Sequence, residues 1–265
     1  MDAIIEKEIE SRGYRVAYLV WGDGPPLVLV SGQLQAAEDW TTAGYVDALR
    51  DYRVIAVDPL GFGHSDKPHD PAAYRFEDRA ADIAAVLDAE GVGAAILWGY
   101  SFGGSQVEAF ARLRPDRTKG VVLGGMVPGL SAVDRRNVGE RGIAPYESGD
   151  WATVWSEAMP FVPTALRASW EQRNDLRAVA ASARASWEPH SAEGGPLPSP
   201  LLCYVGTGDW FWEIAQAMVV GPQTTFVALA DHDHAAAFRD VPEVAGLVRQ
   251  FLSACDDPTS HATTP

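Results

Sequence analysis

The stretch Ala94-Ala95-Ile96-Leu97-Trp98-Gly99-Tyr100-Ser101-Phe102-Gly103 decides how the rest of the chain is read. Five apolar residues run without a break, as a strand buried on both faces requires, and then a serine stands between two glycines. Gly-x-Ser-x-Gly between a strand and a helix makes a turn so tight that little beyond hydrogen fits two positions either side of the serine. Such a turn lifts the hydroxyl above the sheet edge, where it can serve as a nucleophile. Residues 102–113 then carry a helical pattern that stops at Arg114-Pro115.

Working outward, the same alternation recurs. Residues 4–10 and 14–21 read as an antiparallel hairpin around Arg12-Gly13, the second segment with Tyr14, Val16, Tyr18 and Val20 at period two. Leu27-Val28-Leu29-Val30, Val54-Ile55-Ala56-Val57, Gly120-Val121-Val122-Leu123, Leu201-Leu202-Cys203-Tyr204-Val205 and residues 224–229 read as buried strands. Helices are predicted at 44–50, 76–90, near 210–219 and at 242–254. This order implies an α/β fold: a mostly parallel eight-stranded sheet with helices on both faces. Residues 127–199 break the pattern. They lack β-branched runs, offer helical segments near 131–137, 149–158, 163–172 and 174–187, and carry Trp151, Trp155, Trp170 and Trp187. They read as a helical lid inserted into a core formed by 1–126 and 200–254, with 255–265 as a flexible tail.

At 265 residues the chain suits one large domain. Its formal charge of −15 argues against nucleic acid and anionic membranes as partners. The N-terminus lacks the pattern of a signal peptide and no apolar run is long enough to span a bilayer, so a cytoplasmic location is expected. Two cysteines, Cys203 and Cys255, offer neither a disulfide framework nor a cysteine-based zinc site. The expected partner is a small-molecule substrate, with a homodimer left open.

The order of elements, with the serine turn after the third parallel strand, resembles the α/β-hydrolase fold family up to about residue 254. The resemblance implies a catalytic Ser, then Asp or Glu, then His, each on a loop at the carboxyl end of a strand. Ser101 takes the first place. Asp209, in Gly206-Thr207-Gly208-Asp209, takes the second, since the other position some relatives use reads Leu123-Gly124-Gly125-Met126 and has no carboxylate. For the base, Asp231-His232-Asp233-His234 offers two histidines; His234 is favoured because it precedes Ala-Ala-Ala-Phe and the Pro242-Glu243 of the last helix. The same four residues are weighed as metal ligands, but no third cluster completes a site, so neither metal nor other cofactor is expected. His64, in a turn resembling the family's Asp-x-x-Gly-x-Gly-x-Ser, reads as structural.

Most relatives carry His-Gly in the loop where this chain has Ser31-Gly32-Gln33. An oxyanion hole needs backbone donors rather than that histidine ring, so Gln33 N–H and Phe102 N–H are the expected pair. Trp40, Trp151, Trp155 and Trp210 are expected to contact an apolar or aromatic substrate. The implied activity is a cofactor-independent hydrolase of carboxylic esters or lactones. Relatives that act on epoxides or haloalkanes use aspartate at the elbow, against which Ser101 argues. The alternatives are a ligand-binding receptor on the same fold, or a serine-based hydrolase of carbon–carbon bonds or acyltransferase.

Overall fold

The computed structural model describes residues 3–196, 198, 200–217 and 223–256. Its sheet has eight strands in the order β1 (Ile5–Ser11), β2 (Tyr14–Trp21), β4 (Arg53–Val57), β3 (Pro26–Val30), β5 (Ala95–Tyr100), β6 (Thr118–Gly124), β7 (Leu201–Gly206) and β8 (Thr224–Leu229). The strands β1 and β2 pair antiparallel with Ile5 opposite Val20. Arg12 and Gly13 turn the hairpin with φ of 53° and 82°, as a two-residue turn between right-twisting strands demands. The pair β2 and β4 is antiparallel, and every later pair is parallel.

The unbroken apolar runs divide between two cores. Val28, Val30, Leu97 and Val121 point to one side, against Ile83, Val86 and Leu87 of α3 (Phe76–Ala89) and Val107 and Phe110 of α4 (Phe102–Leu113). Leu27, Leu29, Trp98 and Val122 point to the other. There they meet α1 (Ala37–Ala43), α2 (Tyr45–Ala48) and the long C-terminal helix through Trp40, Tyr45, Val244, Val248 and Leu252. Burying each such side chain contributes about 1.5–3 kcal/mol, which is why no strand in the middle of this sheet can alternate with polar residues.

Between β6 and β7 lie α5 (Ala132–Ser148), α6 (Trp151–Thr153) running into a π-helical turn over Val154–Ala158, α7 (Thr164–Arg173) and α8 (Leu176–Ala185). They share a core of Ile143, Tyr146, Val154, Trp155, Trp170 and Val179, into which Leu34 and Phe62 project from loops of the sheet. The structure departs from expectation in two helices. Residues 132–148 form one helix, capped by Ser131 and carrying Pro145 within it, rather than a short segment at 131–137. A helix not expected from the sequence, α1, starts where the Asp39 side chain accepts the Ala36 N–H and ends at Gly44 with φ 105°.

After β7 come α9 (Trp212–Gln216), then β8, α10 (Ala236–Arg239) and α11 (Val241–Asp256). Positions 197, 199, 218 and 219, which belong to the expected linker and helix, and the expected tail at 257–265 lie outside the described residues. None of the helices among the described residues is long and apolar enough to cross a membrane.

Candidate active site

The site begins with a backbone constraint. Ser101 has φ 53° and ψ −123°, a region that costs a non-glycine residue about 1–3 kcal/mol and persists only where the surroundings enforce it. A Cβ on Gly99 would sit 2.3 Å from the Gly103 carbonyl oxygen, and one on Gly103 would sit 2.2 Å from the Val30 carbonyl oxygen. Both flanking positions are therefore closed to any side chain. Ser101 N–H donates to the Gly124 carbonyl at 2.7 Å and the Ser101 carbonyl accepts from Gly104 N–H at 2.8 Å, so the turn is clamped from β6 and from α4.

Three residues from three strand ends meet there. His234 Nε2 lies 2.9 Å from Ser101 Oγ, and His234 Nδ1 lies 2.6 Å from Asp209 Oδ2. The buried carboxylate can only accept, so Nδ1 carries the proton and the Nε2 lone pair faces the serine. The other Asp209 oxygen accepts Phe211 N–H at 2.9 Å. Behind the histidine, the Tyr100 hydroxyl donates to the His234 carbonyl. Burial raises the Tyr100 phenol well above its ordinary range, which keeps it a neutral donor.

His232 turns the other way. Its Nδ1–H donates to the Ala230 carbonyl at 2.7 Å, and its Nε2 stands 3.1 Å from Asp240 Oδ2 and 3.8 Å from Glu243. The Ala230 carbonyl raises its pKa, partial burial opposes this, and Asp240 and Glu243 add to the rise. The ligand-type atoms of His232, Asp240 and Glu243 lie within 4.8 Å of one another, while Asp240 also accepts Glu243 N–H in the first turn of α11. His64 is exposed, with Nε2 2.9 Å from Glu38. Its backbone N–H and that of Ala37 donate to buried Asp58 at 2.7 and 2.6 Å, and burial raises that carboxyl.

The loop after β3 is organised by a residue the sequence reading passed over. Gln35 Oε1 accepts the Gly32 N–H at 3.0 Å, and Gln35 N–H donates back to the Gly32 carbonyl at 3.1 Å. Leu34 sits at φ 66° in this turn and is fully buried in the core of the inserted helices. A Cβ on Gly32 would come 3.2 Å from Ser101 Cβ, so the loop runs directly over the serine. Since Gly32 N–H is occupied, Gln33 N–H is the next donor along the loop, and Gln33 lines the cavity. Phe102 is the first residue of α4, where no intrahelical acceptor exists for its N–H.

Ser101 and His234 open on a cavity of about 340 Å³, walled from the inserted segment by Met159, Phe161, Leu166 and Trp170. Of the four expected substrate contacts, Trp210 lines it. The other three expectations are corrected. Trp40 is fully buried between Tyr45, Trp98 and Phe238, with ring centroids 5.0, 5.0 and 4.9 Å away, and its Nε1 donates to Ser31 Oγ at 3.2 Å. Trp151 and Trp155 stack at 5.1 Å within the helical insertion. Trp170 reaches the cavity instead because its Nε1–H donates to Asp39 at 3.1 Å, which draws it to the sheet side.

With this geometry in view, comparison with known proteins gives a consistent family. The alpha/beta hydrolase fold family model matches residues 25–195, and the chain belongs to that family. Residues aligning over 124 positions are 38% identical to a non-heme chloroperoxidase from Streptomyces lividans, covering 44% of this chain and 43% of that protein. A 2-hydroxymuconate semialdehyde hydrolase from Pseudomonas putida is 37% identical over 124 residues, 46% of this chain and 44% of that protein. The matches thus span less than half of these relatives. Among solved structures, epoxide hydrolase I from potato (Solanum tuberosum) superposes with a TM-score of 0.78 at 16% identity, covering 95% of this chain and 99% of that one, which is a likeness of fold.

Proposed function

We propose that this protein is a serine hydrolase that cleaves a carboxylic ester or lactone of a small apolar or aromatic substrate through an acyl-enzyme. The observation that carries the reading is the unbroken hydrogen-bond chain from Asp209 through His234 to Ser101 Oγ at the cavity floor. A serine hydroxyl is too weakly acidic to attack unaided at neutral pH. His234 Nε2 takes its proton as Oγ bonds to the carbonyl carbon, and Asp209 keeps the ring in register and stabilises the imidazolium. Gln33 N–H and Phe102 N–H receive the oxyanion, each such donor being worth about 3–4 kcal/mol in the transition state. His234 returns the proton to the leaving alkoxide as the carbon–oxygen bond breaks. Water, deprotonated by the same nitrogen, then attacks the acyl carbon, and His234 passes that proton to Ser101 Oγ as the acyl–oxygen bond breaks, releasing the acid and restoring the serine. The inserted segment 127–199 acts as a lid, its apolar side chains selecting the substrate and keeping bulk water from the acyl-enzyme.

Hydrolysis of a carbon–carbon bond next to a carbonyl is the second reading, supported by the match to a 2-hydroxymuconate semialdehyde hydrolase. The test pairs fluorophosphonate labelling with turnover of short-chain p-nitrophenyl esters. Wild type is expected to be labelled at Ser101 and to turn over, and Ser101→Ala to lose labelling and at least about 10³-fold in rate. Labelling without ester turnover would favour the carbon–carbon reading. Absence of both would leave a ligand-binding receptor.

A further inference from the structure

Trp210 follows the acid in sequence, and the turn that presents Asp209 also sets this ring. Trp212 N–H donates to the Asp209 carbonyl at 3.0 Å while Phe211 N–H holds the Asp209 carboxylate at 2.9 Å. The indole lies over the His234 imidazole with centroids 3.8 Å apart and planes 30° from parallel. Phe161, from the inserted segment, meets the imidazole edge-on at 5.6 Å and the indole at 5.1 Å. Trp210 is nevertheless 47% exposed, so burial in a core does not account for a tryptophan at this position.

The stack treats the two protonation states of the imidazole differently. Neutral imidazole gains dispersion from an aromatic neighbour. An imidazolium gains in addition the attraction of a cation to the electron-rich ring face, which is strongest for tryptophan. The other groups around the ring are Asp209 at Nδ1, Ser101 at Nε2, the Tyr100 hydroxyl on the His234 carbonyl, the preceding Asp233, and Arg239 in the wall of the same cavity. Asp209 and Ser101 act in the ring plane, and the indole acts on its face.

We infer that Trp210 is a positioning residue for the base: it fixes the tilt of His234 and favours the imidazolium formed as the proton passes from Ser101 Oγ to His234 Nε2. The inference rests on the reading of His234 as the base. It assigns the residue after the acid to the proton-transfer step rather than to substrate contact alone.

The experiment measures kcat and KM for a p-nitrophenyl ester from about pH 5 to pH 9, across the range where imidazole titrates, in wild type, Trp210→Leu and Trp210→Phe. Trp210→Leu is expected to lose about three- to tenfold in kcat, with KM changed less, and to move the acid limb of kcat/KM to lower pH by about half a unit. Trp210→Phe, which keeps a ring face, is expected to recover most of both. Trp210→Met substitutes for the leucine variant if that variant folds poorly. An effect confined to KM, or an acid limb that stays in place in the non-aromatic variant, overturns the inference. Ser101→Ala runs alongside. If it is inactive while the Trp210→Leu profile does not move, the inference alone falls. If it turns over like wild type, the catalytic reading falls and takes the inference with it.

Discussion

The carboxyl edge of the sheet and the helical insertion that faces it across the cavity are built by different means. At the sheet edge, positions are set by backbone and by hydrogen bonds to it: Gly99 and Gly103 admit no Cβ, Ser101 is clamped from two elements, and the Gln35 side chain accepts the Gly32 N–H of the loop that crosses the serine. In the insertion they are set by side-chain packing, with Trp151 on Trp155 and Trp155 6.4 Å from Trp170. Backbone clamps hold a reacting atom to fractions of an ångström, whereas packed side chains can be exchanged for others of similar volume at modest cost. On the proposed function, reaction chemistry falls to one wall of the cavity and substrate choice to the other.

Three substitutions press on that division, in order of decreasing effect on turnover. His234→Ala is expected to reduce kcat/KM on a p-nitrophenyl ester by at least about 10³-fold, and His232→Ala to stay within about threefold of wild type. If only the His232 variant is dead, the base has been misassigned. Gln35→Ala, which leaves the Gly32 N–H without its acceptor, is expected to lower kcat by about 10- to 100-fold with little change in KM, because it disturbs the loop of Gln33, the proposed oxyanion donor. An effect on KM alone would move that loop from the chemical wall to the binding wall. Trp155→Ala is expected to cost about 3–5 kcal/mol in urea unfolding yet leave kcat within about threefold. Should kcat fall as far as in Gln35→Ala, the separation of the two walls fails.

Much of the sheet wall could be read from sequence because its constraints are local. An uninterrupted apolar run means a strand with two covered faces, and two glycines around a serine mean a turn with no room for Cβ atoms. Asp209 and His234 are legible through their places after later strands and through the family resemblance, His234 also through the residues that follow it. Which histidine turns inward depends on three-dimensional partners: the Ala230 carbonyl and Asp240 draw His232 outward, and Asp209 draws His234 inward. The aromatic residues were the least legible. Trp40 and Trp170 look alike in composition terms, but one completes a buried aromatic cluster and the other is drawn to the cavity by a single hydrogen bond to Asp39. Gln35 is illegible in the sequence because a glutamine in a loop carries no signal apart from its partner, a backbone N–H three residues earlier.

The order of strands has a consequence for how the protein matures. Ser101 and His234 are 133 residues apart in the chain, and Asp209 and His234 are 25 apart, with the insertion and the last two strands intervening. Closing so long a loop is entropically slow, and contacts of this range form late. The strained serine turn needs only β3, β5, β6 and α4 around it, but His234, the proposed base, follows β8 in the chain. On the proposed function, regain of p-nitrophenyl ester turnover during refolding is expected to trail the recovery of secondary structure.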